Sequence, residues 1–206
     1  MGKIKQKILD AALDLYNRKG VSEVSIRQIA KEVSISHSNL IYHYPGHEDL
    51  IVGLHEVLLQ KAVELNQGID PAKSSLLELF STTKRGFSVV LDFRFLFYDL
   101  KYICSSFPRV KQIILSVEKL RSEMYQGVIR EMIGQELIRS EEFEAEYEYL
   151  ISLIKIFSDH WLVSSSIYDE LGPEEKLEKY AYLLMTFFYP YLTDKGKEEF
   201  KTIPKL

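Results

Sequence analysis

The chain has 206 residues, of which 46% are hydrophobic and 27% charged, a balance typical of globular proteins and not of disordered or collagen-like ones. Its single cysteine, Cys104, excludes an intrachain disulfide and a thiolate zinc site and indicates a reducing cytoplasm. The N-terminus lacks the apolar stretch of a secretory signal. The uncharged run at residues 180–193 is shorter than the ~20 apolar residues of a membrane span. We therefore expect a cytoplasmic protein with no membrane partner.

Charge and aromatic residues are unevenly distributed along the chain. Residues 1–47 carry seven Lys and Arg against four Asp and Glu, a net charge of +3, whereas the remainder carries −7. Only three of the 25 aromatic residues lie before residue 80. This asymmetry indicates two regions with different tasks, of which the basic N-terminal one suits a polyanionic partner.

Apolar residues recur at intervals of three and four along almost the whole chain, which predicts helices and no strand. The first helix is predicted over about residues 3–19, with Gly20 as a left-handed C-cap. Ser25 and Gln28 have the spacing of a capping box, which predicts that a second helix starts at Ser25.

A short turn, roughly residues 33–35, separates the second helix from Ser36, a good N-cap for a short third helix that ends near Tyr44. Two helices at this spacing are typical of a helix-turn-helix, in which the second helix enters the DNA major groove. The side chains on the outer face of that helix are His37, Ser38, Asn39, Tyr42 and His43. Asn pairs bidentately with adenine, while Ser, His and Tyr reach base edges or phosphates. Two short capped helices also occur in many other all-α proteins, so the spacing alone leaves DNA binding open.

Six further helices are predicted beyond Pro45-Gly46. Their expected bounds are Gly46 to about Asn66, Asp70-Pro71 to about Leu91, residues 94–104, about 25 residues following Phe107-Pro108, a helix opening at Ser140, and Glu174 to about Tyr191. The last two helices are apolar around much of their circumference and must be covered on all sides.

The stretch from Ile8 to Leu50, ILDAALDLYNRKGVSEVSIRQIAKEVSISHSNLIYHYPGHEDL, resembles the N-terminal domain of the TetR (tetracycline-repressor) family of transcriptional regulators. The matching positions are Gly20, Ser25, Ile29-Ala30, Ser36, Leu40, Tyr42 to Tyr44, Pro45-Gly46 and Glu48-Asp49-Leu50. The resemblance implies an all-α fold, with a three-helix helix-turn-helix DNA-binding domain over residues 1–47 and a helical ligand-binding and dimerisation domain over residues 48–206. It also implies a homodimeric repressor that a ligand releases from its double-stranded operator. A twofold dimer predicts a pseudo-palindromic operator, and the aromatic residues beyond residue 80 predict a small apolar or aromatic ligand.

Three positions depart from the family pattern. Ser34 stands where the turn usually has Gly, Ile41 replaces the Tyr that usually follows the recognition-helix Leu, and His47 replaces the usual Lys at the start of the fourth helix. The phosphate contact of the missing Tyr is lost or passes to Tyr42. Backbone N–H groups at the start of the fourth helix still suit a phosphate.

The predicted DNA interface contains three histidines, and its third helix has no Arg or Lys. The residues expected at the DNA are Ser25, Arg27, Ser36, His37, Ser38, Asn39, Tyr42, His43 and His47. Free histidine titrates near pH ~6.5, and a neighbouring phosphate favours the charged form. Operator affinity is then expected to strengthen as the pH falls from about 8 to 6, unless the histidines stay neutral and donate ordinary hydrogen bonds.

The aromatic residues beyond residue 80 exceed what a small bundle needs, which predicts an effector pocket among helices five to eight. The candidate lining residues are Phe87, Tyr98, Tyr102, Tyr125 and His160. The eighth and ninth helices are too apolar to face water alone, which predicts a four-helix dimer interface. The residues expected there are Trp161, Ser165, Phe188 and Tyr191, unless the two helices only cover each other within one chain.

Two other classes of function compete with this interpretation. An enzyme is not predicted, because the chain has no GxSxG, no Gly-rich phosphate loop and no HExxH, and no cofactor or metal site is expected. Asp159, His160 and Ser164 share one helix face, which fits core or interface polarity better than catalysis. A helical protein-interaction module without DNA binding stays open, because Ile41 and His47 depart from the family pattern. A mobility shift on selected DNA separates the two.

Overall fold

The computed structural model describes residues 2–65, 67 and 75–204. Over these ranges the chain is all-α and has no strand, apart from one isolated antiparallel bridge between Ile138 and Leu192. The helices are α1 (Lys3–Lys19), α2 (Ile26–Glu32), α3 (His37–His43), α4 (His47–Leu65), α5 (Leu76–Asp92), α6 (Arg94–Tyr98), α7 (Leu100–Ser106), α8 (Pro108–Gly134), α9 (Glu146–Tyr168), α10 (Pro173–Thr186) and α11 (Asp194–Phe200). The predicted all-α class is confirmed. None of these described helices is long and apolar enough to span a membrane.

Contacts within the chain define two compact units. The first comprises the described residues up to Ala62 together with Asp92–Ser116, and so contains α1 to α3, most of α4, α6, α7 and the start of α8. The second comprises the described residues of Val63–Leu91 and Val117–Leu206. These units are defined by packing. The predicted division between residues 47 and 48 instead separates a DNA-binding domain from a ligand-binding and dimerisation domain, and it stays a prediction.

Helix α1 ends at Gly20 in a backbone conformation that only glycine adopts readily. Its φ of 83° is positive as predicted, but its ψ of 157° is not the left-handed helical value expected for the cap. A Cβ at this position would lie 3.1 Å from Asp99 Oδ2. That carboxylate oxygen accepts a hydrogen bond from the Val21 N–H at 3.0 Å. Glycine therefore leaves room for Asp99 to bind the end of α1.

The prediction of one helix over residues 94–104 is wrong, because α6 and α7 are separate helices that meet at Asp99. The break follows from contacts with α1. The Asn17 side chain donates to the Asp92 carbonyl at 2.7 Å and accepts from the Phe95 N–H at 3.1 Å. Together with the bond from Val21 to Asp99, these contacts fix the segment at both ends and favour two short helices over one continuous helix.

The core of the second unit is aromatic. Trp161 of α9 is 2% exposed and stacks on Phe87 of α5, with ring centroids 4.7 Å apart. Tyr180 of α10 covers another side of Trp161, with centroids 5.2 Å apart. Helix α9 is therefore apolar over a wide arc because two neighbouring helices pack against it within one chain.

Helix α9 begins at Glu146, later than the predicted start at Ser140, because side-chain contacts organise the preceding residues. Arg139 donates to both carboxylate oxygens of Glu146, each at 2.7 Å, and the Tyr147 hydroxyl donates to the Arg139 carbonyl at 2.6 Å. Glu146 is buried, and its hydrogen bonds from Arg139 lower its pKa to about 2. Ala145, at the N-cap position, is left-handed with φ 63°.

The C-terminal region differs from the prediction in two ways. Helix α10 ends at Thr186, before the predicted end near Tyr191, and a 3-10 turn over Tyr189–Tyr191 follows it. Helix α11 was not predicted, although Thr193 is a good N-cap and its hydroxyl accepts from the Gly196 N–H at 3.1 Å. The predicted start of the fifth helix at Asp70-Pro71 and the predicted end of the fourth at Asn66 lie outside the described residues.

Candidate nucleic-acid interface

Helix α2 is held by the predicted capping box. The Gln28 N–H donates to Ser25 Oγ at 3.3 Å, and the Ser25 N–H donates to Gln28 Oε1 at 2.7 Å. Ile29 and Ala30 are buried and attach the helix to the core of the first unit. These contacts confirm the capping prediction and leave Ser25 and Arg27 exposed on the outer side of α2.

The turn between α2 and α3 contains Ser34 in the left-handed region, with φ 58°, where the family pattern usually has glycine. A short polar residue tolerates this conformation at modest cost. The Ile35 N–H then donates to the Ala30 carbonyl at 3.0 Å. Ser36 caps α3 as predicted, since its Oγ accepts from the Asn39 N–H at 3.1 Å. Leu40 is fully buried and fixes the helix in place.

The outer face of α3 consists of exposed polar and aromatic side chains. His37, Ser38 and Asn39 are exposed, Tyr42 is 83% exposed, and His43 is partly covered. The Tyr42 and His43 rings meet edge-on, with centroids 5.1 Å apart. A large aromatic ring left in water, beside an amide and two imidazoles, forms a surface suited to base edges and phosphates. The structure thus leaves four of the third-helix candidates exposed and His43 partly covered.

His47 begins α4 and is bound to α1 through one ring nitrogen. Its Nδ1 lies 2.6 Å from the hydroxyl of the buried Tyr16. Burial lowers the pKa of His47 below its ordinary value of 6.5. In the absence of DNA this residue is therefore a neutral hydrogen-bonding group. The expected gain in affinity between pH 8 and 6 depends on the protonation of His47 beside a DNA phosphate, and it stays a prediction.

The comparisons with known proteins agree with this geometry. Residues 8–54 match the family described as bacterial regulatory proteins, tetR family, and residues 60–200 match the TetR family of bacterial transcriptional repressors. The chain belongs to the TetR family. It is 24% identical over 197 residues to IcaR of Staphylococcus epidermidis, the negative transcriptional regulator of the biofilm operon icaADBC, covering 90% of this chain and 98% of IcaR.

Solved TetR-family structures share the fold. A regulator from Marinobacter aquaeolei VT8 is 20% identical, has a TM-score of 0.86, and aligns over 99% of this chain and 100% of its own. SmeT, the repressor of a Stenotrophomonas maltophilia multidrug efflux pump, was solved in complex with triclosan. That complex is 13% identical, has a TM-score of 0.68, and aligns over 100% of this chain and 99% of its own.

Membership of the TetR family makes this chain a DNA-binding transcriptional regulator, not an enzyme, as predicted. The candidate catalytic group does not assemble either. Asp159 is bound to Arg121 at 2.8 Å, and His160 Nδ1 lies 3.1 Å from the carbonyl of Ile156. Within the described part of the chain, no side-chain hydrogen bond joins His160 to Ser164.

The predicted effector-binding residues of this TetR-family chain belong to both units and differ in burial. Phe87 is buried against Trp161, but Tyr98 and Tyr102 are each 43% exposed and belong to the first unit. Tyr125 is partly exposed on α8, and His160 is exposed. Only Phe87 therefore lies within an aromatic core. The sequence analysis did not identify two buried polar atoms that have no partner among the described residues. They are Oγ of Ser158, a residue that is 7% exposed, and the indole Nε1 of Trp161.

The predicted interface residues need a correction. Trp161, Ser165 and Phe188 are each at most 3% exposed in the single chain, so their side chains pack internally and offer no surface to a partner. Tyr191 is partly exposed beneath the Arg139 guanidinium, 5.2 Å from its ring centre. The exposed apolar side chains of α9 lie on another face, at Tyr149, Leu153, Ile156 and Ile167. Their heptad-like spacing is the signal that could have found them.

Proposed function

We propose that this TetR-family regulator is a cytoplasmic homodimeric repressor that reads a pseudo-palindromic operator with α3 and leaves it when a small apolar or aromatic ligand binds. The observation that carries the proposal is the outer face of α3, where Asn39 and its neighbours are exposed and oriented by the Ser36 cap. The description of IcaR as a negative regulator supports repression.

The DNA contacts divide by chemistry. Asn39 offers an amide that pairs bidentately with adenine, and His37 and Ser38 offer hydrogen bonds to neighbouring base edges. Ser25, Arg27 and Tyr42 are also exposed, and their side chains suit contacts with phosphates. His43 and His47 are the last candidates in sequence, at the end of α3 and the start of α4. The remaining predicted contact, Ser36, contributes mainly by capping α3.

Selection of bound sequences from random DNA tests the DNA-binding part. We expect enrichment of a pseudo-palindrome whose half-sites are about one helical turn of ~10 bp, or a multiple of it, apart. Asn39→Ala should cost ~1 to 3 kcal/mol of binding free energy, mainly at one base position. Gln126→Ala, an exposed polar change on α8, is the matched control. Absence of enrichment would favour the protein-interaction module.

The dimer proposal rests on the apolar stripe of α9. Tyr149, Leu153, Ile156 and Ile167 are each at least 56% exposed, and their spacing of four, three and eleven residues keeps them on one helical face. Exposed apolar side chains that share one helical face typically mark an interface. We expect light scattering to give a dimer mass and Ile156→Asp to give a monomer. Met124→Asp, an exposed apolar position on α8, should leave the dimer intact.

The ligand proposal rests on the aromatic core of the second unit. The rings of Phe87 and Tyr180 contact Trp161, and the Phe157 ring contacts both of them. Ser158 and the Trp161 indole supply two donors that have no partner among the described residues. Buried donors need acceptors, so the ligand would carry a carbonyl, hydroxyl or ether oxygen beside its apolar body. The SmeT–triclosan complex supports a ligand-binding role.

Thermal-shift screening of apolar and aromatic compounds tests this part. A ligand that binds here should raise the melting temperature, weaken operator binding, and lose affinity with Ser158→Ala. Release requires the ligand to favour a state that binds the operator less well. Hits that change stability without changing operator affinity would contradict the release mechanism and leave DNA binding unaffected.

A further inference from the structure

Tyr16 and His47 are joined across the first unit by a short hydrogen bond that the DNA-binding proposal does not use. Tyr16 lies on α1 and is 1% exposed, whereas His47 is the partly exposed first residue of α4. The Tyr16 hydroxyl and His47 Nδ1 are 2.6 Å apart, and the ring centroids are 5.8 Å apart. One imidazole nitrogen is therefore occupied inside the protein.

The direction of this bond depends on which imidazole nitrogen carries the proton. Burial lowers the pKa of His47 and raises that of Tyr16 well above its ordinary value, so both side chains are neutral near pH 7. A neutral imidazole has one donor and one acceptor nitrogen. With the phenol as the donor to Nδ1, the His47 proton resides on Nε2. No described residue accepts a hydrogen bond from that nitrogen.

The position of the Tyr16 hydroxyl is itself fixed by packing. The Tyr16 ring contacts Phe95 of α6, with centroids 5.3 Å apart. Asn17, the next residue on α1, binds both the Phe95 N–H and the Asp92 carbonyl. The neighbouring carboxylates of α4 are engaged elsewhere, since Arg109 pairs with Asp49 and its backbone N–H donates to Glu48, each at 2.8 Å. The hydroxyl of Tyr16 therefore has a fixed position from which to orient the imidazole.

We propose that Tyr16 is a positioning residue for operator binding, which holds the His47 ring with its Nε2–H as the donor presented to a DNA phosphate. This inference rests on the proposed operator binding. A neutral, oriented donor at the start of a helix replaces the mobile charge of a lysine and relies on geometry instead. Loss of the Tyr16 hydroxyl then leaves the imidazole present but no longer oriented.

Operator titrations of four proteins test this role: wild type, Tyr16→Phe, His47→Gln, and the double variant. Tyr16→Phe keeps the ring that packs on Phe95 and should weaken binding about three- to tenfold, as expected for one oriented hydrogen bond. The double variant should bind no more weakly than His47→Gln, because Tyr16 acts through His47. Tyr189→Phe, an exposed tyrosine of the second unit, is the matched control and should bind like wild type.

Nitrogen-15 NMR of the imidazole in the DNA-free protein supplies an independent readout. Wild type should show His47 protonated on Nε2, and the Nδ1 resonance should move in Tyr16→Phe. Additive losses in the double variant, unchanged affinity of Tyr16→Phe, or a proton on Nδ1 in wild type would each overturn the inference. Failure of wild type to bind any selected DNA would instead refute the proposed function, and the NMR result would still decide whether Tyr16 orients His47.

Discussion

In the first unit, the side chains of His37, Ser38 and Asn39 lie at the surface, and no hydrogen bond among the described residues uses them. In the second unit, by contrast, charged side chains of α8 and α9 form ion pairs with one another. Arg121 of α8 pairs with Asp159 of α9 at 2.8 Å, and Lys155 pairs with Glu118 at 2.7 Å. These charged groups are each about one quarter to one third exposed.

The difference indicates how each unit uses polar chemistry. Polar groups that the fold leaves without partners are available to a ligand, whereas groups engaged in ion pairs hold helices together. In the first unit, the capping contacts of Ser25 and Ser36 orient the exposed residues of α2 and α3. The second unit combines ion pairs with an aromatic core, and its main unpartnered polar atoms are buried beside that core. Substitutions of the exposed polar residues of α2 and α3 should therefore affect operator binding, whereas substitutions in the aromatic core of the second unit should affect folding.

The largest expected effect is on Trp161, which was predicted at an interface and lies in the core. Trp161→Ala should lower the free energy of unfolding by ~3 to 5 kcal/mol, because it removes a fully buried ring and leaves a cavity beside Phe87 and Tyr180. Urea unfolding measures this. Tyr168→Ala, at an 80% exposed position of the same helix, should stay within about 0.5 kcal/mol of wild type. An unchanged free energy of unfolding together with impaired dimerisation would indicate that Trp161 lies at the dimer interface.

A smaller loss is expected at Gly196, where α11 packs on the backbone after α8. A Cβ there would lie 2.0 Å from the Leu137 carbonyl oxygen, so Gly196→Ala must displace backbone and should cost ~1 to 3 kcal/mol. Gly86 in α5 has no atom within 4 Å of the corresponding position. Gly86→Ala should therefore stabilise the protein by roughly 0.5 to 1 kcal/mol. Equal melting temperatures for the two variants would show that α11 is not closely packed.

The sequence predicts the first unit better than the second because its signals are local. Ser25, Ser36 and Gly46 each act on backbone within four residues, so α2, α3 and the start of α4 are found from short motifs. The break between α6 and α7 escapes such reasoning. It depends on Asp99 binding Val21, a contact between residues 78 positions apart.

The second unit shows a different limit. Helix α9 carries apolar residues on two faces, and composition alone does not tell which face a neighbouring helix of the same chain covers. Trp161 faces inward because Phe87 and Tyr180 lie there, while Ile156 faces outward. In the first unit, burial lowers the pKa of His47, and its hydrogen-bond partner Tyr16 lies 31 residues away, so neither property follows from its neighbours in sequence.

Within the first unit, Arg27 should affect affinity without affecting sequence preference. Its side chain is exposed on α2, and a phosphate contact there contributes about 0.9 to the slope of log affinity against log salt. Arg27→Ala should weaken binding to all DNA sequences and lower that slope by about this amount. Titrations at several salt concentrations check this, with Arg130→Ala of the second unit as the matched control. A change confined to one base pair would place Arg27 in the groove instead.

The smallest expected effect is a pH dependence of folding that arises in the first unit. His55 of α4 is 6% exposed, its Nδ1 has no partner among the described residues, and burial lowers its pKa below 6.5. Below pH 6.5, His55 therefore binds a proton more readily in the unfolded chain than in the folded chain. The stability present above this pH is lost as the pH falls towards the lower pKa of folded His55. His55→Gln should reduce this loss between pH 7 and 5 in urea unfolding. The pKa of His47 is also lowered, so His47 contributes to the loss of stability in the same direction, and part of the pH dependence remains in that variant. His160→Gln, at an exposed position, should retain the wild-type slope, and a slope unchanged by His55→Gln would show that His55 remains accessible to protons in the fold.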